Sequence, residues 1–332
     1  MPRFETRTVA AVLLERPGLQ RIELDGCGAR AYVLTDLIGP VAEGDRVVVN
    51  TTAVDLGLGT GGWHVVHWNL SREGWSAPGG GHVLKLRYTS LQADTGVAEE
   101  SGPPAVEDLG GRPVVVCDLH SQVACVAAGF SAAAPGRRLV FVMTDSAALP
   151  LALSDVVAEL RAGGRLAATV TCGQAFGGDV EAVNTVSGML LAAAHGDALV
   201  VGPGPGVVGT GTRFGFSGLE AVAVIDGAAR RGGRPILCVR WSEADTRPHH
   251  RGLSHHTATV LADAGETALV AVPRGGSLDG VARHLSVEVD VPGGLDVGDV
   301  ATMGRGRAED PAFFVWSAAA GVLAGQLVGV TG

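Results

Sequence analysis

Between residues 113 and 291 short, continuously apolar runs alternate with longer segments of helical period, and nothing else in the chain restricts its fold as strongly. The runs are residues 113–117, 139–144, 168–171, 198–202, 236–241, 268–272 and 287–291. Helix-period stretches lie between them, near residues 122–130, 154–162, 180–195, 219–230, 257–264 and 278–284. A strand apolar on both faces must be covered on both, and strands joined through helices run parallel. The spacing therefore predicts an α/β fold with a doubly wound, mostly parallel open sheet. A closed eight-fold barrel needs more units than roughly 180 residues supply. Residues 311–328, which include Phe313, Phe314, Trp316, Leu323 and Leu327, read as one amphipathic helix on the sheet or at a dimer seam.

Residues 1–92 obey a different pattern. Short β-branched runs, among them residues 8–14, 20–24, 31–34, 46–51, 64–68 and 83–88, are broken by turn signals such as Arg16-Pro-Gly and Glu43-Gly-Asp. No segment sustains a helical period, so a small, largely antiparallel N-terminal β-barrel or sandwich is predicted. Residues 93–111 are polar, acidic and rich in Pro and Gly, as a linker is. The α/β domain then occupies residues 112–332.

Formal charge is -9, with no basic run, which disfavours a duplex-binding surface and makes nucleic acid an unexpected partner. The start carries no apolar leader, and no stretch holds ~18 uninterrupted apolar residues, so no membrane span is expected. Five cysteines without a CxxC spacing read as small buried hydrophobes in a reducing cytoplasm. Arg so dominates the basic residues that Lys85 is the one lysine, a hint that a compact ammonium is needed there. Strand alternation puts Lys85 on a face with Arg87, either reaching over a cleft toward an anion or facing water.

In an open α/β sheet, ligands bind beyond the carboxyl ends of the strands. Those ends are where this chain concentrates its polar chemistry: Asp118-Leu-His120 after the first run, Thr144-Asp145 after the second, Thr171 to Asp179 after the third, and a glycine loop after the fourth. Gly204, Gly206 and Gly209 spell GxGxxG, but no helix opens at the second glycine and no Lys-Ser/Thr pair follows, so neither a dinucleotide fingerprint nor a Walker loop is present. Two readings of that loop stand open. Gly206, Gly209, Thr210, Gly211, Thr212 and Arg213 cradle an anion, or they form a structural turn.

After the fifth run come Arg240, Asp245, Arg247, His249, His250, Arg251, His255 and His256. This segment reads as ligands of a divalent metal shared with Asp118, His120, Asp145 or Asp179, as an acid/base set with an anion clamp in Arg247 and Arg251, or as a polar loop folded on itself. Cys172 reads as a buried thiol and Ser217 as a helix N-cap.

The motifs Thr144-Asp-Ser-Ala-Ala-Leu-Pro, Gly177-Gly-Asp-Val-Glu-Ala-Val-Asn184, Gly206-Val-Val-Gly-Thr-Gly-Thr, Arg247-Pro-His-His-Arg-Gly-Leu-Ser-His-His and Gly81-His-Val-Leu-Lys-Leu-Arg-Tyr-Thr together resemble the bacterial domain-of-unknown-function family numbered thirty-eight sixty-six. The resemblance covers most of the chain. It implies a shared site and carries no reaction, substrate or cofactor. Gln174 stands where the resemblance implies a His, which removes a donor from any ion site built on that position.

The residues themselves point to an enzyme acting on a small phosphorylated or carboxylated metabolite. His255, His256, Asp118, His120 and Asp145 are its expected catalytic groups; Gly206 to Arg213, Lys85, Arg247 and Arg251 bind the anion. A divalent ion on Asp118, His120, Asp179 and His255 is the expected cofactor, if one is used, and a homo-oligomer is a further expectation. The rival reading is a non-catalytic ligand sensor or assembly scaffold.

Overall fold

The computed structural model describes residues 1–26, 28–77, 79–278 and 283–330. Two compact units emerge, Met1–Gly96 and Val97–Gly332.

The first unit is a closed five-stranded barrel of order β1-β2-β3-β5-β4: β1 (Phe4–Arg16), β2 (Leu19–Leu24), β3 (Arg30–Val33), β4 (Arg46–Asn50) and β5 (Trp63–Asn69). β1 pairs with both β2 and β4, and register shifts at Val9/Ala11 and Val12/Leu14 bend it so that the sheet can close. Single helical turns, α1 (Thr35–Ile38) and α2 (Thr52–Asp55), flank β4. Alternate residues Ile22, Leu24, Ala31, Val33, Val47 and Val49 fill the barrel. The run at residues 83–88 forms only a two-residue strand, β6 (Leu84–Lys85), paired with β7 (Ala93–Asp94). Leu86 and Tyr88 adopt positive φ of 53° and 60°, which breaks the extended backbone. No single strand face therefore holds Lys85 with Arg87: Arg87 is exposed, whereas Lys85 is fully buried. Of the two readings of Lys85, the one in which it faces water is excluded, because its side chain is buried.

The second unit is built on an eight-stranded, all-parallel sheet. Its strands are β8 (Pro113–Val116), β9 (Leu139–Thr144), β10 (Ala168–Cys172), β11 (Val180–Ala182), β12 (Ala198–Pro203), β13 (Arg234–Leu237), β16 (Leu269–Pro273) and β17 (Leu285–Val289). The order is β11-β10-β9-β12-β8-β13-β16-β17, and a small hairpin, β14 (Trp241–Ser242) with β15 (Gly252–Leu253), interrupts the chain after β13. Helices α3 (Gln122–Ala133), α4 (Asp155–Ala162) and α8 (Pro311–Val330) belong to one core layer; α5 (Thr185–Ala192), α6 (Ala221–Arg230) and α7 (His255–Asp263) belong to the other. β11 was hidden inside the stretch read as one helix at residues 180–195; Asn184 stops it, its side chain accepting from Ser187 N at 3.0 Å as the N-cap of α5. Most of the helix expected at residues 278–284 lies outside the described residues. Residues 97–111 belong to the α/β unit: Val97 and Leu109 are buried, and Glu99 accepts from Val183 N at 3.0 Å.

The amphipathic reading of the C-terminal helix is also corrected. α8 is apolar on nearly every side, and only Pro311, Val315, Gln326 and Gly329 of its described side chains are exposed. Its mean hydropathy of 1.6 and its length would suit a membrane span, but 72% of it is buried inside the fold. It packs against both the sheet and α3, and small residues permit its close approach to α3. A methyl added at Gly321 would meet Val126 O at 2.0 Å, and one at Gly129 would meet Ala318 O at 2.3 Å. Backbone, not a flexible side chain, fills the space, so it cannot give way. We expect Gly321→Ala to destabilise the α/β unit by about 2–3 kcal/mol in urea unfolding. Gly329→Ala, with open space around it, should be neutral or gain the ~0.5–1 kcal/mol by which Ala outranks Gly in a helix.

Candidate functional site

β8 stands at the middle of the sheet, and the strand order reverses around it. The helix after β8 leaves on one face and the helix after β12, its neighbour, on the other. Adjacent strands whose connections depart to opposite faces leave a crevice beyond their carboxyl ends. Asp118 follows β8, the glycine loop follows β12, and Arg240 follows β13 on the other side of β8.

A cavity of about 260 Å³ occupies this place, lined by Val207 to Gly211 of the glycine loop, Arg240, Arg247, His249, His250 and His256, with Leu119 and Met303. Ser254 builds much of it. Its side chain caps α7, accepting from His256 N at 3.2 Å, and its hydroxyl lies 2.8 Å from His250 Nδ1. The cap starts α7 at His255, two residues earlier than the helical period suggested, and packs four imidazoles together. Ring centroids of His249, His250 and His255 lie 4.4–4.9 Å apart, and His256 lies 4.5 Å from His255. Phe216 stacks on His256 at 3.8 Å with 6° between planes. Gly209 lies beside His256, where an added methyl would stand in ordinary contact, 3.4 Å from Nε2.

Behind the lining lies Asp118, 1% exposed. Neither carboxylate oxygen has a hydrogen-bond partner. His256 Nδ1, 3.7 Å from Oδ2, is already engaged, because Arg240 Nη1 donates to it at 3.0 Å. That bond requires a neutral imidazole with its proton on Nε2, leaving Nδ1 nothing to give to Asp118. Burial pushes the Asp118 carboxyl up to about 6, against the opposing pull of the Arg240 guanidinium. Burial and then Arg240 push the His250 imidazole down to about 3, and the same causes lower His256 and Arg240's other neighbours among the histidines. A carboxylate held near 6 without a donor is a proton acceptor close to neutral pH. Arg247 is oriented from below: Nε and Nη2 donate to Asp245 at 3.0 and 2.8 Å, Arg305 donates to the same carboxylate at 3.2 Å and to Asp310 at 3.3 Å, and Ser242 donates to Asp310 at 2.5 Å. This network holds Asp245 well below the usual carboxylate range, chiefly through the Arg247 bonds.

Other candidates from the sequence stand elsewhere. Both ring nitrogens of His120 are engaged, Nδ1 with Pro203 O at 2.9 Å and Nε2 with Ser154 Oγ at 2.6 Å, so no lone pair remains for an ion. Asp179 pairs with Arg161 at 2.9 Å and accepts from Thr169 N and Oγ1, a clamp at the sheet edge. The metal donor set of Asp118, His120, Asp179 and His255 is therefore not assembled. Asp145 clamps the next loop through Gln174 N at 2.9 Å. Arg213 turns to Asp263 at 3.2 Å and lies 4.7 Å from the Phe214 ring centre, and neither it nor Thr212 lines the cavity. Arg251 is exposed and also outside the lining. Within the loop, Val208 N donates to Ser217 Oγ at 3.3 Å, Thr210 N donates to Gly215 O at 2.8 Å, and the hydroxyls of Thr210 and Thr212 bond one another at 2.9 Å, so part of the expected cradle is used internally. Lys85 belongs to the other unit.

Three features escaped the sequence reading. Arg240 was one basic residue among several, and only its place beyond β13 marks it. His249 and His250 carried no role apart from their neighbours. Glu220, read as a helix first-turn acid, accepts from Ser146 at 2.6 Å and from Thr144, and burial raises its pKa.

A family model described as "Protein of unknown function (DUF3866)" matches residues 30–289. The chain belongs to that family. No curated protein and no solved structure matches it. Membership of this family confirms the resemblance carried by the motifs and extends over both units of the chain.

Because the Asp118 carboxyl is raised in the folded state, it binds its proton more tightly there than in the unfolded chain, from ~3.8 to about 6. The associated stability is fully present below pH ~4 and is lost as pH rises through 6. Asp118→Asn should therefore stabilise the protein at pH 7.5, by on the order of 1–3 kcal/mol, and give no gain at pH 4. Urea unfolding at the two pH values measures this; equal gains at both would mean that the carboxylate is not strained by burial.

Proposed function

We propose that this protein is an enzyme acting on a small anionic metabolite, phosphorylated or carboxylated, in the cavity beyond β8, β12 and β13. The observation that carries this reading is the placement of two guanidinium groups, Arg240 and Arg247, on one wall of a cavity backed by a buried carboxylate that lacks any donor. The guanidinium pair suits an anion, since each offers a planar fork of donors to phosphate or carboxylate oxygens. Arg247 keeps its plane through the Asp245 bonds, so little ordering entropy is lost on binding. Val207 to Gly211 supply a wall without bulky side chains near the imidazoles, where a ligand backbone fits closely.

The chemistry asked of the chain is proton transfer. Asp118 accepts a proton near neutral pH, and it stands directly behind the cavity wall, its Oδ2 3.7 Å from His256 Nδ1; a proton reaches it only when the Arg240 bond to that nitrogen is exchanged. A binding protein gains nothing from a carboxylate in this state, because it costs stability without touching the ligand. That is the argument for an enzyme over a sensor or scaffold.

The test uses a defined pool of phosphorylated and carboxylated metabolites incubated with the full chain, with depletion followed by NMR, alongside the rise in melting temperature produced by inorganic phosphate. We expect at least one compound to be consumed, Arg247→Gln to abolish the phosphate-induced rise, and Asp118→Asn to retain that rise while consumption falls by a factor of at least 100. A phosphate-induced rise without consumption of any compound would favour the sensor.

A further inference from the structure

We propose that His249, His250 and His255 form a three-imidazole site for a borderline divalent cation, zinc above all, with its fourth position open to the cavity. Each of the three offers one ring nitrogen, and these atoms all lie within 4.8 Å of one another. Tetrahedral zinc with Zn–N bonds of ~2.0–2.1 Å spaces its ligands ~3.3 Å apart, so small side-chain rotations close the set. Two independent observations say that these nitrogens are waiting for a partner. His255 Nε2 is buried and has no hydrogen bond, an arrangement that costs about 1–3 kcal/mol when nothing fills it. His250 is oriented from outside, its Nδ1 2.8 Å from Ser254 Oγ; with Nδ1–H donating to that hydroxyl, the Nε2 lone pair is free for an ion. Ligating histidines are commonly fixed in this way by a hydrogen bond on the other ring nitrogen.

The chemistry of the donors selects the ion. Imidazole suits zinc, copper, nickel and iron, whereas magnesium and calcium take oxygen ligands, and no carboxylate stands in this set. Three protein ligands with one open position is the arrangement of catalytic rather than structural zinc. His249 and His250 line the cavity, so the open position faces the space in which Arg240 and Arg247 stand. Those guanidinium groups would repel a bare cation, but carboxylates partly balance their charge, Asp245 that of Arg247 and Asp118 with Asp245 that of Arg240. An anion bridging ion and guanidinium would be held from both sides. This donor set differs from the one expected from the sequence: only His255 is common to both.

The site is independent of what the anion is, and its test needs none. The full chain, stripped with a chelator, is titrated with Zn²⁺ by calorimetry and with Co²⁺ by visible absorption. We expect about one equivalent bound, the intense d–d bands of a four-coordinate cobalt ion, and at least a tenfold loss of affinity in His255→Gln and in His249→Gln. His249 is exposed, so its variant should fold, which circular dichroism checks. His195→Gln, an exposed histidine outside the cluster, should bind as the parent does. Less than half an equivalent bound, weak six-coordinate bands, or affinity unchanged in both cluster variants would overturn the site, as would an equal loss in His195→Gln, the mark of adventitious binding. Repeated on the chelator-stripped chain, the phosphate-induced rise does not depend on the ion, so loss of the metal site leaves the anion reading standing, and the converse also holds.

Discussion

The second unit depends on covering a parallel sheet on both faces. Strands such as β9, β10 and β12 are buried along their whole length, so each face needs a complete helical layer. On one face α8 packs against both the sheet and α3, and its contact with α3 is possible only because Gly129 and Gly321 let backbones touch. Van der Waals contact at such distances is strong in sum and intolerant of added volume. The rigidity it gives the centre of the sheet fixes the ends of β8, β12 and β13, where the candidate site lies.

At those ends the protein tolerates charge in a dry place. Asp118 and Arg240 face the same imidazole, yet Arg240 gives its hydrogen bond to His256 and not to the carboxylate. The result is a buried acid whose proton affinity is raised by desolvation and only partly relieved by a neighbouring positive charge. Nearby, Asp245 shows the opposite outcome, since Arg247 and Arg305 both donate to it and its carboxyl is strongly acidic. Two carboxylates of one region are thus driven apart in proton affinity, Asp118 by desolvation and Asp245 by hydrogen bonds from arginine, one left reactive and the other serving as an anchor.

Much of this architecture was legible. Continuous apolar runs such as Leu139 to Thr144 have no reading other than a strand buried on both faces, and their alternation with helical stretches fixed the α/β class. The glycines and the histidine-rich segment lie after strands, which marks them in the sequence as gathering at one end of the sheet. What misled the reading was local context without tertiary meaning. Thr169 is a strand residue and Asp179 a loop acid, and no spacing says that one clamps the other at the sheet edge, away from the imidazoles. Alternation along residues 83–88 suggested a strand face for Lys85, whereas positive φ at Leu86 and Tyr88 ends the strand after two residues.

The sequence by itself determined which elements form and at which end of the sheet the polar side chains gather, because periodicity and chain direction are local properties carried by each segment. Only the tertiary structure decided which of those side chains share a cavity. Strand order brings β8, β12 and β13 together, a serine cap sets the first turn of α7, and one hydrogen bond from Arg240 determines that Asp118 goes without. Apart from the local serine cap, these are contacts between residues distant in the chain, and their energies depend on burial and on competition for a single donor. Neither quantity exists until the chain has folded.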